Sequence, residues 1–226
     1  MAINHDDGAK DEEAQQTNHE QELPLLSILS TRKFFTIYFM AVCHLFFGYY
    51  YSNVYKTYGN KYINDDQFLT SVGATAGLLN GCFKLVWASM LDYYPFRRIY
   101  GGLIALEICL IFLVQIAVHN KAAFFISTCL IFMCDGSLTS MLPALTVGQF
   151  GIERGPQVYG YMFSVFGVAA LSSTLLFSFS IKYFGYEGMF IVSSVFSIAA
   201  AALAFLLDEK NKFNFAEAYD RYKLKE

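Results

Sequence analysis

The chain has 226 residues, of which 55% are hydrophobic, 18% aromatic and 15% charged, with a mean hydropathy of +0.38. A soluble domain carries about 25% charged residues, so this composition excludes an ordinary soluble globule and points to a membrane protein. The formal charge of −3 is concentrated in residues 1–22, where Asp6, Asp7, Asp11, Glu12, Glu13, Glu20 and Glu22 face a single Lys10. The remainder is mildly basic and gives no sign of a nucleic-acid partner.

Residues 1–22, acidic and rich in Gln and Asn, lack the basic and apolar regions of a secretory signal and read as a disordered segment. PLLSILSTRKFF follows, and its mix of apolar residues with Arg32 and Lys33 predicts an interfacial amphipathic helix over 23–33. From 34 to 208 the pattern predicts an all-α, polytopic domain. Six apolar stretches, near 34–55, 67–91, 99–118, 122–148, 157–181 and 186–207, are each long enough to cross a hydrocarbon core of about 30 Å as a helix. Helices are favoured over strands because the stretches do not alternate and a lipid-embedded backbone must satisfy its own hydrogen bonds. The separators KTYGNKYINDD, DYYPFRR, HNK, GIERGP and KYFGYEG read as loops, and 209–226 reads as a polar, frayed tail helix.

Basic residues set the expected orientation. Arg32, Lys33, Arg97, Arg98, Arg154, Lys210 and Lys212 fall on one side and Lys56, Lys61, Lys121 and Lys182 on the other, which places both termini on the cytoplasmic side. Cys43, Cys82, Cys109, Cys129 and Cys134 lie in apolar runs without CxxC spacing or a His cluster, and read as packing residues rather than metal ligands or disulfides. No cofactor motif, nucleophile–base pair or phosphate-cradling loop is present, so an enzyme is not expected.

Within the second stretch Gly73, Gly77 and Gly81 form a stripe at spacing four, which suits close helix packing and also helices that rock against each other. Pro143 removes one helical hydrogen bond and predicts a bend in the fourth.

Four ionisable groups sit at membrane depth: His44, Lys84, Glu107 and Asp135. A charge there costs at least ~2.5–3.5 kcal/mol and normally faces a partner or a wet cavity. Asp135 is near the middle of its stretch and Lys84 is displaced from the middle of its own by roughly 7 Å, so the two can meet. That pairing has two readings: an ion pair without substrate, or an anion-attracting lysine with an acidic counter-charge. His44 reads either as a proton-responsive cavity group or as a histidine bonded to a neighbour. Glu107 reads either as a protonated, lipid-adjacent group or as paired with a group the sequence does not identify.

The passage NGCFKLVWASMLDYYPFRR resembles the eighth helix and following loop of major facilitator superfamily transporters, especially the oxalate:formate antiporter and monocarboxylate transporter-like branch. There the pattern runs N-G-x-G-R-x-x-W-G-x-L-S-D-x-x-G-R-R. Asn80, Gly81, Trp87, Asp92, Arg97 and Arg98 match, Lys84 takes the arginine position, and Phe83, Ala88 and Pro95 depart. STRKFFTIYFMAVCHLFFGYY resembles the seventh helix, CDGSLTSMLPALTVGQFG the tenth and GPQVYGYMFSVFGVAALSSTLL the eleventh, so the resemblance covers roughly residues 23–207.

What the resemblance implies is the C-terminal six-helix half of a twelve-helix transporter, with the substrate site at the interface between halves. It implies transport of a small organic anion such as a monocarboxylate, with Lys84, Asp135, His44 and Trp87 as substrate-binding residues. It further implies a cytoplasmic gating clasp of Asp92 with Arg97 and Arg98. The fifth stretch carries no basic residue before Lys182, which argues against dicarboxylate binding by two cations. Expected partners are the lipid bilayer and a second six-helix chain, either a homodimer mate or a separate N-half. The rival expectation is a non-transporting scaffold in a larger membrane complex, with Lys84 locked to Asp135. A fragment of a longer reading frame is the third.

Overall fold

The computed structural model describes residues 24–207, 213–215, 218 and 222. The acidic segment 1–22 and most of the tail 209–226 lie outside the described residues. Pro24, with φ −62° and ψ 135°, leads into a short helix α1, Leu25–Leu29, which buries Ile28. Helix α2, Arg32–Ile63, follows after Thr31, whose hydroxyl accepts the Phe34 N–H at 3.4 Å and satisfies one free donor of the first turn.

α2 runs through most of the expected loop at 56–66. Its polar residues mark the exit from an apolar layer, but none of them breaks a helix before Asn64, which ends it in the left-handed region at φ 49°. Gly59 lies inside this extension because Leu69 and Phe124 leave no room for a side chain there. Helix α3, Asp66–Met90, is capped by the Asp65 carboxylate, which accepts the Phe68 N–H at 3.0 Å. Helix α4, Phe96–Ala117, starts after Pro95. Asn120 caps α5, Lys121–Met162, by accepting from Ala122 and Ala123. Helix α6 is Ser164–Leu206.

Two glycines replace two expected loops. Gly151 (φ 81°, ψ 171°) breaks α5 and Gly185 (φ 63°, ψ −170°) breaks α6, conformations that only glycine adopts cheaply. The backbone stays helical through Pro143, so the interruption in α5 lies eight residues past the expected bend. Five stretches are long and apolar enough to cross a membrane, one of them Lys121–Phe179 at 59 residues. As one straight helix it would run roughly 88 Å, nearly three times the apolar thickness of a bilayer. The break at Gly151 divides it into two pieces that can each cross. The chain is therefore an all-helical protein with five or six membrane-crossing helices, and no strand occurs among the described residues.

α2 packs mainly on α6 and also on α5, α3 lies mainly along α5, and α4 sits against both α5 and α6. Rings fill the core. Phe46 stacks on Phe196 at 4.2 Å, Tyr58 meets Phe190 edge-on at 5.2 Å, and the Tyr51 hydroxyl is 2.8 Å from the Thr128 hydroxyl. The described part of the tail is docked: the Phe213 N–H donates to the Gln149 carbonyl at 2.9 Å, and Phe213 packs between Phe150 and Phe215.

Candidate functional site

The stripe Asn80, Lys84 and Trp87, at spacings of four and three, lies on one face of α3, and that face meets α5. The Asn80 amide donates to the Phe132 carbonyl at 2.7 Å and reaches an Asp135 carboxylate oxygen at 3.5 Å. The Trp87 indole N–H donates to the Met133 carbonyl at 2.8 Å. Between these ties the helices nearly touch, because a side chain at Gly136 would press on the Asn80 backbone and the Lys84 stem. Trp87, expected at the substrate, is thus an interhelical tie.

Lys84 and Asp135 are brought together but not joined. Asp135 lies within coulombic range of Lys84, yet no carboxylate among the described residues is at ion-pair distance from its ammonium. Both side chains are half-buried. Asp135 is held from the other side by α2, since a methyl group at Gly48 would collide with its carboxylate. The absent side chain at Gly48 is what admits an acid at this depth.

His44 faces elsewhere. Its Nδ1 is 3.4 Å from Oε2 of Glu107, with the ring not aligned for a hydrogen bond, and the Ser197 hydroxyl donates to Glu107 Oε1 at 3.2 Å. His44 and Glu107 are 2% and 4% exposed. A narrow crevice lined by His44, Phe47, Gly48, Glu107, Ile131 and Asp135 connects this pair to Asp135. The Glu107 partner that the sequence did not identify is therefore His44. Four large helices converge on the pair and its crevice: α2, α4, α5 and α6.

The remaining predicted residues separate. Of the glycine stripe, Gly73 meets the Tyr55 hydroxyl, while Gly77 and Gly81 face open space. Asp92 and Arg98 are exposed, and neither Arg97 nor Arg98 is at ion-pair distance from Asp92 in this conformer. Arg97 instead donates to the Phe205 carbonyl near the end of α6 and lies over the Phe205 ring at 5.0 Å, tying the first turn of α4 to the last helix. No group of three or more His, Cys, Asp or Glu side chains that could hold a metal occurs among the described residues.

Residues 37–218 match the family model of the Major Facilitator Superfamily. The chain belongs to that superfamily. Its members are membrane transporters, and the matched span takes in all the residues described above as a site. None of the curated proteins compared with the chain matches it.

Gly48, Asn80 and Ser197 were missed by sequence reasoning. One signal was available for Gly48: it follows His44 by four residues and so shares its helix face. Ser197 had none, because a serine in an apolar helix usually bonds its own backbone.

Proposed function

We propose that the chain is one six-helix half of an alternating-access transporter that moves a small organic anion such as a monocarboxylate, as in the oxalate:formate and monocarboxylate branch. A second six-helix chain, identical or distinct, completes the pathway, and both termini lie on the cytoplasmic side. Lys84 attracts the carboxylate, and Asp135 is its counter-charge when no anion is present.

One observation carries this reading. Lys84 keeps its ammonium near, but out of contact with, an acid, at the edge of a helix whose outward side has little cover from the rest of the chain. A locked ion pair would consume that charge. A lysine at this depth facing lipid alone would be costly, so a wet or protein-lined surface is the environment it fits. Gly77 and Gly81, open and on the same side of α3 as Lys84, suit the close approach of a second set of helices. Asp92, Arg97 and Arg98 serve as the cytoplasmic gate in another conformer, with the Arg97 tie to Phe205 closing the present one.

The test is uptake of labelled lactate into vesicles containing the chain and its partner. Lys84→Arg keeps much of the uptake, and Lys84→Gln abolishes it while the yield of folded protein stays near wild type. Loss of folded Lys84→Gln, rescued by Asp135→Asn, would overturn the assignment. It would favour the scaffold reading, in which breaking a buried pair costs ~3–5 kcal/mol.

A further inference from the structure

The described tail residues return to α5 at the point where that helix is broken. Gly151, with φ 81° and ψ 171°, ends the first piece of α5, and the last carbonyls before such a break have no partner within a regular helix. The Gln149 carbonyl belongs to that set, and the Phe213 N–H donates to it at 2.9 Å although the two are far apart in the chain. In an unbroken helix the same carbonyl accepts the N–H four residues on, which is that of Glu153. The tail therefore occupies the place that one more turn of α5 would need.

A second breaking point lies one turn further along. Gly155 precedes Pro156, whose ring disfavours the helical conformation in the residue before it. In this structure Gly155 nevertheless stays helical, and a β-carbon on it would lie 2.5 Å from the Val147 Cα. The two pieces of α5 thus fold back on each other, with room only for glycine between them. Residues eight apart in a continuous helix are separated by roughly 12 Å, so this contact exists only while the break stays at Gly151.

The hold of the tail is local, and the segment that makes it is polar. Phe213 packs between Phe150 and Phe215 at ring separations of 5.7 and 4.8 Å, and Phe215 is 6% exposed. Ala218 and Tyr222 follow Phe215 at helical spacing and pack against the same core. Half of residues 209–226 are charged, so the segment is well solvated when it leaves this site. Its point of departure is fixed by the bond from Arg97 to the Phe205 carbonyl near the end of α6.

We propose that the C-terminal segment around Phe213 and Phe215 is a strap that sets where α5 breaks. With the strap docked, the break stays at Gly151. With the strap released, the Gln149 carbonyl takes the Glu153 N–H, the first piece of α5 gains a turn and the break moves to Gly155. A turn advances a helix by about 5.4 Å, and the piece that leads into α6 shifts with it. The added turn and the docked strap compete for one place, so each state excludes the other. The inference goes beyond the transport reading and depends on neither an anion nor a second chain.

The experiment uses the full chain in detergent, without native cysteines and with spin labels at Ala144→Cys and Tyr161→Cys, two exposed positions on either side of the break. The native tail should give one distance. Phe213→Ser/Phe215→Ser should add a second population several ångströms away, and a peptide of residues 209–226 added to that variant should remove it. Gly155→Ala, with the tail unchanged, closes the bent form and should populate the same second distance. Coupling between two sites is reciprocal, so Gly155→Ala should also speed hydrogen exchange at the Ala218 amide by about tenfold.

A single, unchanged distance in the folded tail variant would overturn the strap. Different second distances in the two variants would do the same, because they would report two unrelated distortions. If Gly155→Ala does not fold, the tail variant and its reversal by the peptide decide the matter alone. No anion or partner enters these measurements, so failure of lactate uptake leaves the strap standing and failure of the strap leaves the uptake test intact.

Discussion

Helices α2 and α3 are consecutive and similarly apolar, yet 61% of the most apolar 18 residues of α2 are buried against the rest of the chain and only 17% of those of α3. Side-chain size explains much of the contrast. α2 carries Phe46, Phe47, Tyr50, Tyr51 and Tyr58 into the core, whereas α3 buries Leu69, Val72 and Ala76 and turns Gly77, Gly81, Leu78 and Leu85 outward. Apolarity thus reports that a helix belongs in a membrane, while size and polar placement report what it lies against. α2 is a framework helix. α3 is held on one edge by Asn80 and Trp87 and leaves its half-buried lysine at the border of an exposed face.

The contrast is most sharply broken or upheld by truncation on each helix. Phe46→Ala removes a ring stacked on Phe196 and should cost ~3–5 kcal/mol in unfolding experiments in detergent. Leu85→Ala, at a side chain 75% exposed, should stay within about 0.5 kcal/mol. Equal losses at the two sites would mean that α3 is as packed within this chain as α2.

Adding one methyl group gives a smaller effect with opposite signs on the two helices. Gly48→Ala drives a methyl into the Asp135 carboxylate and should destabilise by ~1–3 kcal/mol. Gly77→Ala meets nothing and, by favouring the helix, should leave stability unchanged or raise it by up to about 1 kcal/mol. Thermal unfolding of both variants tests this, and destabilisation by Gly77→Ala would show a neighbour already present there.

Trp87→Phe keeps the ring and removes the donor to the Met133 carbonyl, so it should lower stability by about 1 kcal/mol and loosen α3 from α5. Hydrogen exchange at the α5 amides around Met133 would register the loosening.

The smallest effect lies outside the membrane at the start of α3. The hydrogen bond from Lys121, with that from the Phe68 N–H, holds Asp65 below the usual carboxylate range. Because its folded value is depressed, Asp65 contributes stability above its unfolded value of about 3.9, and that contribution is lost as pH falls through the lower folded value. Asp65→Asn should therefore lower stability slightly near neutral pH and flatten the acid limb of the stability profile, the two proteins converging at low pH.

The sequence made the all-helical membrane class legible because runs of twenty apolar residues have few other solutions, and its order of motifs carried the family. It did not fix where helices end. The polar run 56–63 leaves the apolar layer without leaving the helix, and GIERGP and KYFGYEG each interrupt a rod at one glycine. Within the site, Lys84 near Asp135 followed from depth along each helix. The pairing of His44 with Glu107 did not, because it depends on which faces α2 and α4 turn toward each other, and that is settled by ring packing spread over several helices.

The central claim is that the outward side of α3 beside Lys84 lines a water-accessible pathway rather than lipid. In a background without native cysteines, Gly77→Cys and a restored Cys109, the latter exposed on α4, would be exposed in membranes to a water-soluble thiol reagent with the partner present. The account predicts labelling at Gly77→Cys, slowed by lactate, and none at Cys109. Equal labelling at the two positions, or none at Gly77→Cys, would contradict it.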